Sequence, residues 1–174
     1  EEIDQAIFNV IHSTQFIHGP IVQDFERNLE NYLDVKNVIA CANGTDALQV
    51  ALMAIDCKPG DEIILPAFTY VATAEVIGLL NLKPVFVDVD PNTYNIDIHQ
   101  IAEKITDRTK AVIIVHIFGL CVDMDALRKI VPAHVKIIED AACATGADYK
   151  GQPAGSLGDA ASFSFHPRKS ITTG

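Results

Sequence analysis

The chain predicts an α/β domain built on a largely parallel sheet. Three observations carry that expectation. Short runs rich in Val and Ile recur, as at residues 62–65, 85–87, 111–115 and 135–138. Most are separated by stretches whose apolar residues repeat at helical spacing. Gly and Pro punctuate the joints, as at Pro59-Gly60-Asp61 and Lys83-Pro84. Strands that alternate with helices are joined by crossovers, and crossovers give parallel neighbours.

Taken in order, Ile3, Ile7, Val10 and Ile11 mark a helix over residues 1–12. Gly19-Pro20 breaks it. Val22, Phe25, Leu29 and Leu33 form one face of a second helix. Residues 38–41 read as a short buried strand. Asn43-Gly44-Thr45-Asp46 then turns into a helix carrying Leu48, Leu52 and Ile55. The alternation continues with strand 62–65, helix 72–80, strand 85–87, helix 98–105 and strand 111–115. Helix 124–130, strand 135–138 and strand 160–165 complete it, giving six strands. The Gly-containing stretch 146–158 has no clear helix, so the last strand could run antiparallel or be displaced.

At 174 residues the chain can bury a substantial core. Its composition, 49% apolar and 21% charged, argues against disorder. A formal net charge of −10 argues against broad nucleic-acid binding but leaves room for a local anion pocket. Cys41, Cys57, Cys121 and Cys143 form no CxxC pair, which argues against zinc or a disulfide framework and fits a reducing cytoplasm. No apolar run reaches membrane-spanning length. The chain starts at Glu1 and stops after Thr172-Thr173-Gly174, and it reads as a piece of a longer protein.

The chemistry gathers at one rim. Open parallel sheets bind ligands beyond the carboxyl ends of their strands. Those ends offer Asn43, Gly44 and Thr45, then Phe68, Thr69 and Tyr70, then His116 and Gly119, then Asp140 and Cys143, then Ser164, His166 and Lys169. An acid at one strand end and a lysine after the next strand suit pyridoxal phosphate. The lysine can form a Schiff base with the aldehyde, and the acid can keep the pyridine nitrogen protonated. Gly44-Thr45-Asp46 opens a helix, where backbone N–H groups and the helix dipole favour a phosphate. Each member has a plainer reading. Asn43 or Thr45 also reads as a helix cap, Asp140 as a solvated carboxylate, Lys169 and Arg168 as surface charges, and Tyr70 as a core ring. His116 reads as a hydrogen-bonded wall residue and Cys143 as a small buried packing group. The set and its order carry the argument. Neither a GxxxxGK[ST] loop nor a GxGxxG fingerprint is present, which removes the support for an NAD-dependent oxidoreductase.

The ordered motifs resemble the DegT/DnrJ/EryC1/StrS sugar aminotransferases. Gly19-Pro20 with Val22, Phe25 and Glu26 is similar to that family's GPxVxxFE signature. Asn43-Gly44-Thr45-Asp46-Ala47-Leu48, Pro59-Gly60-Asp61-Glu62 and Pro66-Ala67-Phe68-Thr69-Tyr70-Val71-Ala72-Thr73-Ala74 follow in the family's order. So do Val115-His116-Ile117-Phe118-Gly119, Glu139-Asp140-Ala141-Ala142 and Ser162-Phe163-Ser164-Phe165-His166 leading to Lys169. The resemblance implies a three-layer α/β/α domain of PLP-dependent fold type I, with a C-terminal small domain beyond residues 1–174. It implies pyridoxal 5'-phosphate as cofactor, with Lys169 as its covalent anchor and proton carrier and Asp140 at the pyridinium nitrogen. Gly44, Thr45 and Ser164 would hold the phosphate, Tyr70 would stack on the ring, and Cys143 would lie against the cofactor where the family more often has Gln or His. It implies amino transfer, with glutamate as the expected donor, to a keto group of a nucleotide-linked sugar. It also implies a homodimer. The alternatives are a PLP-dependent sugar dehydratase on the same scaffold, in which histidine replaces the lysine, and a non-catalytic module that binds nucleotide sugar or PLP.

Overall fold

The structure is a computed structural model and describes residues 1–173. The chain forms two compact units, residues 1–40 and residues 41–174. In the first unit, helix α1 (Glu2–Ser13) has no buried residue, and Ile3, Ile7, Phe8 and Ile11 are exposed. Helix α2 (Pro20–Leu33) places Pro20 in its first turn, where the missing N–H costs no hydrogen bond, and ends at Asp34 in the left-handed region.

Residues 38–41 were expected to be a buried strand, and they are not one. The N–H of Val38 donates to Glu30 Oε1 at 2.9 Å, and that of Ala40 donates to Glu26 Oε1 at 2.8 Å. Two carboxylates of α2 thus take the donors that a neighbouring strand would have used. Ile39 is 74% exposed, so the apolar run signals no burial.

The second unit opens with α3 (Gly44–Ala54), then β1 (Glu62–Pro66), α4 (Ala72–Leu79), β2 (Lys83–Val87), α5 (Ile98–Lys104) and β3 (Thr109–Val115). Helix α6 (Met124–Ile130) and β4 (Lys136–Asp140) follow. The main sheet has the order β2-β1-β3-β4-β7, where β7 is Ala160–Ser162, with every neighbouring pair parallel. It therefore has five strands, not six.

Alternation along the strands separates two cores. Ile63, Leu65, Ala111, Ile113 and Ile138 pack with Leu48 and Leu52 of α3 and Val76 and Ile77 of α4. Ile64, Val112, Ile114 and Ile137 pack on the other face with Ile101 of α5 and Leu127 of α6. The result is three layers, helix–sheet–helix, with the central strands buried on both faces. Pro84 sits on β2, an edge strand, where a missing ladder donor is tolerated.

The stretch before the last strand contains a small hairpin, β5 (Asp148–Tyr149) and β6 (Gln152–Pro153). Its two turn residues, Lys150 and Gly151, have φ of 54° and 87°, the positive values that a tight hairpin turn demands. The last strand, β7 (Ala160–Ser162), lies parallel beside β4. It was expected to reach residue 165. It stops at Ser162, whose ladder partner Asp140 is the final residue of β4.

The opposite rim of the sheet is held by one acid. Glu62, on β1, is 2% exposed and accepts from Thr106 Oγ1 at 2.6 Å, Lys83 Nζ at 2.9 Å and Arg108 Nη2 at 2.9 Å. The hydrogen bonds from Thr106 and Lys83, with the nearby cations, hold its pKa down at about 2, against an ordinary 4.5. Its stabilising contribution is complete above pH 4.5 and is lost as the pH falls toward 2. Urea unfolding of wild type and Glu62→Gln between pH 6 and pH 3 should therefore give a steeper loss of stability in the wild type; parallel pH profiles would contradict this role.

Candidate active site

The rim at the carboxyl ends of β1, β3, β4 and β7 carries the candidate residues. Strand alternation sends Glu139 and Asp140 to opposite faces of β4. Asp140 points to the α3/α4 side, as Ile138 does, and meets Thr73 of α4. Glu139 points to the α5/α6 side, as Ile137 does, and meets His116.

Asp140 is 6% exposed. Its Oδ2 accepts from Thr73 Oγ1 at 2.8 Å, and its Oδ1 accepts from the backbone N–H of Ala142 at 3.2 Å. Burial raises its pKa, while Thr73, Ala142 and Lys169 act in the opposite direction. An acid in this state is poised to gain from a cationic partner. The reading of Asp140 as a solvated carboxylate does not hold, because β4 is an interior strand and its end is covered.

Glu139 and His116 form a fully buried knot. Glu139 Oε1 accepts from the N–H groups of Leu157 at 2.7 Å and Gly158 at 2.6 Å. Its Oε2 accepts from the N–H of Gly155 at 2.7 Å and from His116 Nε2 at 2.8 Å. His116 Nδ1 accepts from the N–H of Val122 at 3.1 Å. A ring nitrogen that accepts an N–H carries no proton, so His116 is the neutral tautomer protonated at Nε2. His116 is the wall residue that the sequence suggested. It binds the loop after β3, and Glu139 binds the loop before β7, to the end of β4.

Lys169 lies beyond β7, and its Nζ donates to Cys143 Sγ at 3.2 Å. Cys143 is exposed at the rim rather than buried as expected, because it sits in the turn at residues 142–143 and faces the lysine instead of the core. Asp140, Cys143 and Lys169 thus share one corner, with the lysine's charge felt at the acid.

Helix α3 begins at the same corner. Asn43 is its cap: the Asn43 Oδ1 accepts from the N–H of Asp46 at 3.0 Å. The first-turn N–H groups of Gly44 and Thr45 have no acceptor within the helix. Ser162 Oγ donates to Gly44 O at 2.8 Å, which ties the helix start to β7. A Cβ on Gly44 would sit 3.0 Å from Phe163 O and 3.0 Å from Ser164 Cβ, so glycine permits this close approach. Gly44, Thr45 and Ser164 are therefore brought together.

Tyr70 is not core; it is 74% exposed on the turn entering α4. Phe68, Tyr94 and Phe118 form an exposed aromatic group on the same rim, with Phe68 5.4 Å from Tyr94 and Tyr94 6.2 Å from Phe118. Tyr94 and Phe118 hold φ of 59° and 54°, an uncommon state for aromatic residues. His166 and Arg168 are exposed in the turn leading to Lys169, where the Arg168 N–H donates to His166 Nδ1 at 3.2 Å.

Sequence reading missed Thr73 and Glu139. The spacing of Thr69 and Thr73, one helical turn apart, was a signal for the first. A glutamate inside the apolar run 135–140 was a signal for the second.

A three-layer parallel domain with a buried acid, a lysine and a helix start at one rim has the construction of a cofactor-dependent transferase. A putative sugar aminotransferase, Spr1654 from Streptococcus pneumoniae, in its PLP-form, superposes with a TM-score of 0.92 at 34% identity, covering 95% of this chain and 46% of that one. The model of the DegT/DnrJ/EryC1/StrS aminotransferase family matches residues 1–174, and the chain belongs to that family. It is 47% identical over 172 residues to a UDP-2-acetamido-2-deoxy-3-oxo-D-glucuronate aminotransferase of Pseudomonas aeruginosa, covering 98% of this chain and 48% of the relative. It is 46% identical over 157 residues to a GDP-perosamine synthase of Caulobacter vibrioides, covering 90% of this chain and 42% of the relative. The chain spans about half the length of the curated relatives it matches.

The Glu139 knot makes a direct prediction. Glu139→Gln replaces one acceptor oxygen with an NH2 group, which must face an N–H donor. The variant should lose about 2–5 kcal/mol of stability in chemical unfolding, since buried donors are left unpaired. Unchanged stability would mean that the loops are held by packing alone.

Proposed function

We propose that this chain is the cofactor-binding half of a PLP-dependent aminotransferase that transfers an amino group, with glutamate as donor, to a keto group of a nucleotide-linked sugar. A C-terminal small domain would complete the protein, and a second copy would complete a homodimer. The single observation behind this reading is the corner where buried Asp140, Cys143 and Lys169 meet the start of α3. The family and its nucleotide-sugar relatives support the substrate class.

The donor set fits pyridoxal phosphate. A desolvated carboxylate suits a cationic ring nitrogen, a lysine suits an aldehyde, and unpaired N–H groups at a helix start suit a phosphate. When bound, the cofactor supplies an electron sink that makes a proton on the amino acid's Cα acidic.

The chain's residues supply the rest. Asp140 holds a proton at the ring nitrogen. Lys169 Nζ would hold the cofactor's aldehyde carbon and, once displaced by the amino donor, would act as the base that takes the donor's Cα proton. Gly44 and Thr45 receive the phosphate through backbone N–H groups and the Thr45 hydroxyl, and Ser164 adds a hydroxyl from across the gap. Tyr70 covers a ring face with an aromatic surface of its own. Cys143 occupies the space beside Lys169, where its sulfur accepts from the amine.

Borohydride reduction of the full-length protein with PLP should fix the cofactor to Lys169, as read by peptide mass. Lys169→Ala should lose this adduct and at least ~10³-fold of its transfer rate. Asp140→Asn should keep the adduct and slow both halves of the transfer, measured in single turnover. A covalent adduct in the Lys169→Ala protein would refute the assignment. Conversion of a keto sugar without gain of nitrogen would favour a dehydratase instead.

A further inference from the structure

We propose that Thr73, oriented by Thr69, is a positioning residue that keeps the Asp140 carboxylate charged and aimed along one direction. This deepens the reading of Asp140 as the ring-nitrogen partner and rests on it only for its catalytic meaning.

The geometry argues as follows. Asp140 lies at the covered end of an interior strand, where burial favours the neutral acid. A neutral carboxyl would leave a ring-nitrogen proton without its counter-charge. Donors to the carboxylate oppose that drift. One is the Ala142 N–H on Oδ1, part of the backbone. The other is the Thr73 hydroxyl on Oδ2, from a side chain that is 0% exposed.

A hydroxyl has one hydrogen. If Thr73 gives it to Asp140, its oxygen can only accept from Thr69, whose Oγ1 lies 3.0 Å away. The charged acid thus sets the direction of the whole row: Thr69 donates to Thr73, and Thr73 donates to Asp140. A proton on Oδ2 would reverse both bonds. The row runs from a half-exposed end at Thr69 to a fully buried one. With each oxygen already holding one donor, the remaining acceptor directions of the carboxylate are fixed. The charged group acting on Asp140 is Lys169, beyond β7; the titratable His116, at the end of β3, is taken up by Glu139 and the Val122 N–H. Glu139 projects from the other face of β4 and is saturated by its own donors.

The test is a titration of Asp140 in cofactor-free full-length protein, read by carbon NMR of labelled aspartate and assigned with Asp140→Asn. Lys169 and His116 are retained throughout, so their contributions are common to every protein compared. Thr73→Val, which matches threonine in shape, should move the Asp140 midpoint upward by about one to two units, the size expected for a lost hydrogen bond to a charged acceptor. Thr73→Ser should restore it. Thr69→Val should give a smaller upward shift, and it carries the test by itself should the buried valine prevent folding. PLP affinity of Thr73→Val, measured below the wild-type Asp140 midpoint, should fall roughly tenfold for each unit by which that midpoint rises. An unmoved midpoint in Thr73→Val, or an equal shift in Thr73→Ser, overturns the proposal. A midpoint that moves as expected in a protein that binds no PLP supports the hydroxyl row and removes the cofactor reading instead.

Discussion

The buried carboxylate of Glu139 is the interaction on which the candidate site depends. It is a charge at the centre of an α/β domain, and it survives there because each oxygen accepts two hydrogen bonds. Removing such a group from water is costly unless its lone pairs are filled. Here the filling is also the architecture. Three donors come from residues 155–158, the approach to β7, and the fourth is a histidine whose other nitrogen grips the loop at Val122. One side chain therefore fixes two connections that have no regular structure of their own beside the strand bearing Asp140.

That arrangement divides labour between adjacent residues. On β4, pleating sends Glu139 to one layer and Asp140 to the other. The first is satisfied and structural. The second has one side-chain donor and one backbone donor, and burial leaves it drawn toward neutrality. A carboxylate saturated with donors has little to offer a ligand, whereas one held by two retains acceptor capacity. The two acids are chemically alike, and only their surroundings separate the anchor from the reactive group.

Much of this was legible in the chain itself. The Val- and Ile-rich runs located β1, β3 and β4 because strands buried on both faces leave no room for polar residues. Asp140 and Lys169 were visible as a strand-end acid followed by a lysine after the next strand. The run at 38–41 looked the same locally, yet it is not a strand, since Glu26 and Glu30 take its N–H groups. β7 ends opposite the last residue of β4, a limit that no local pattern encodes. Thr73 was hidden for a similar reason: its partner lies 67 residues away, and only the packing of α4 on the sheet brings them together. The exposure of Cys143 was likewise set by the turn after β4, not by the residue type.

The shortness of β7 has a consequence for how firmly the rim is held. Only three residues pair it to β4. Yet the Ser162 clasp on α3 and the segment bearing Lys169 both hang from it. The rim is therefore held to the sheet by a short ladder, and a small molecule bridging the helix start and the lysine would act as a rivet across it.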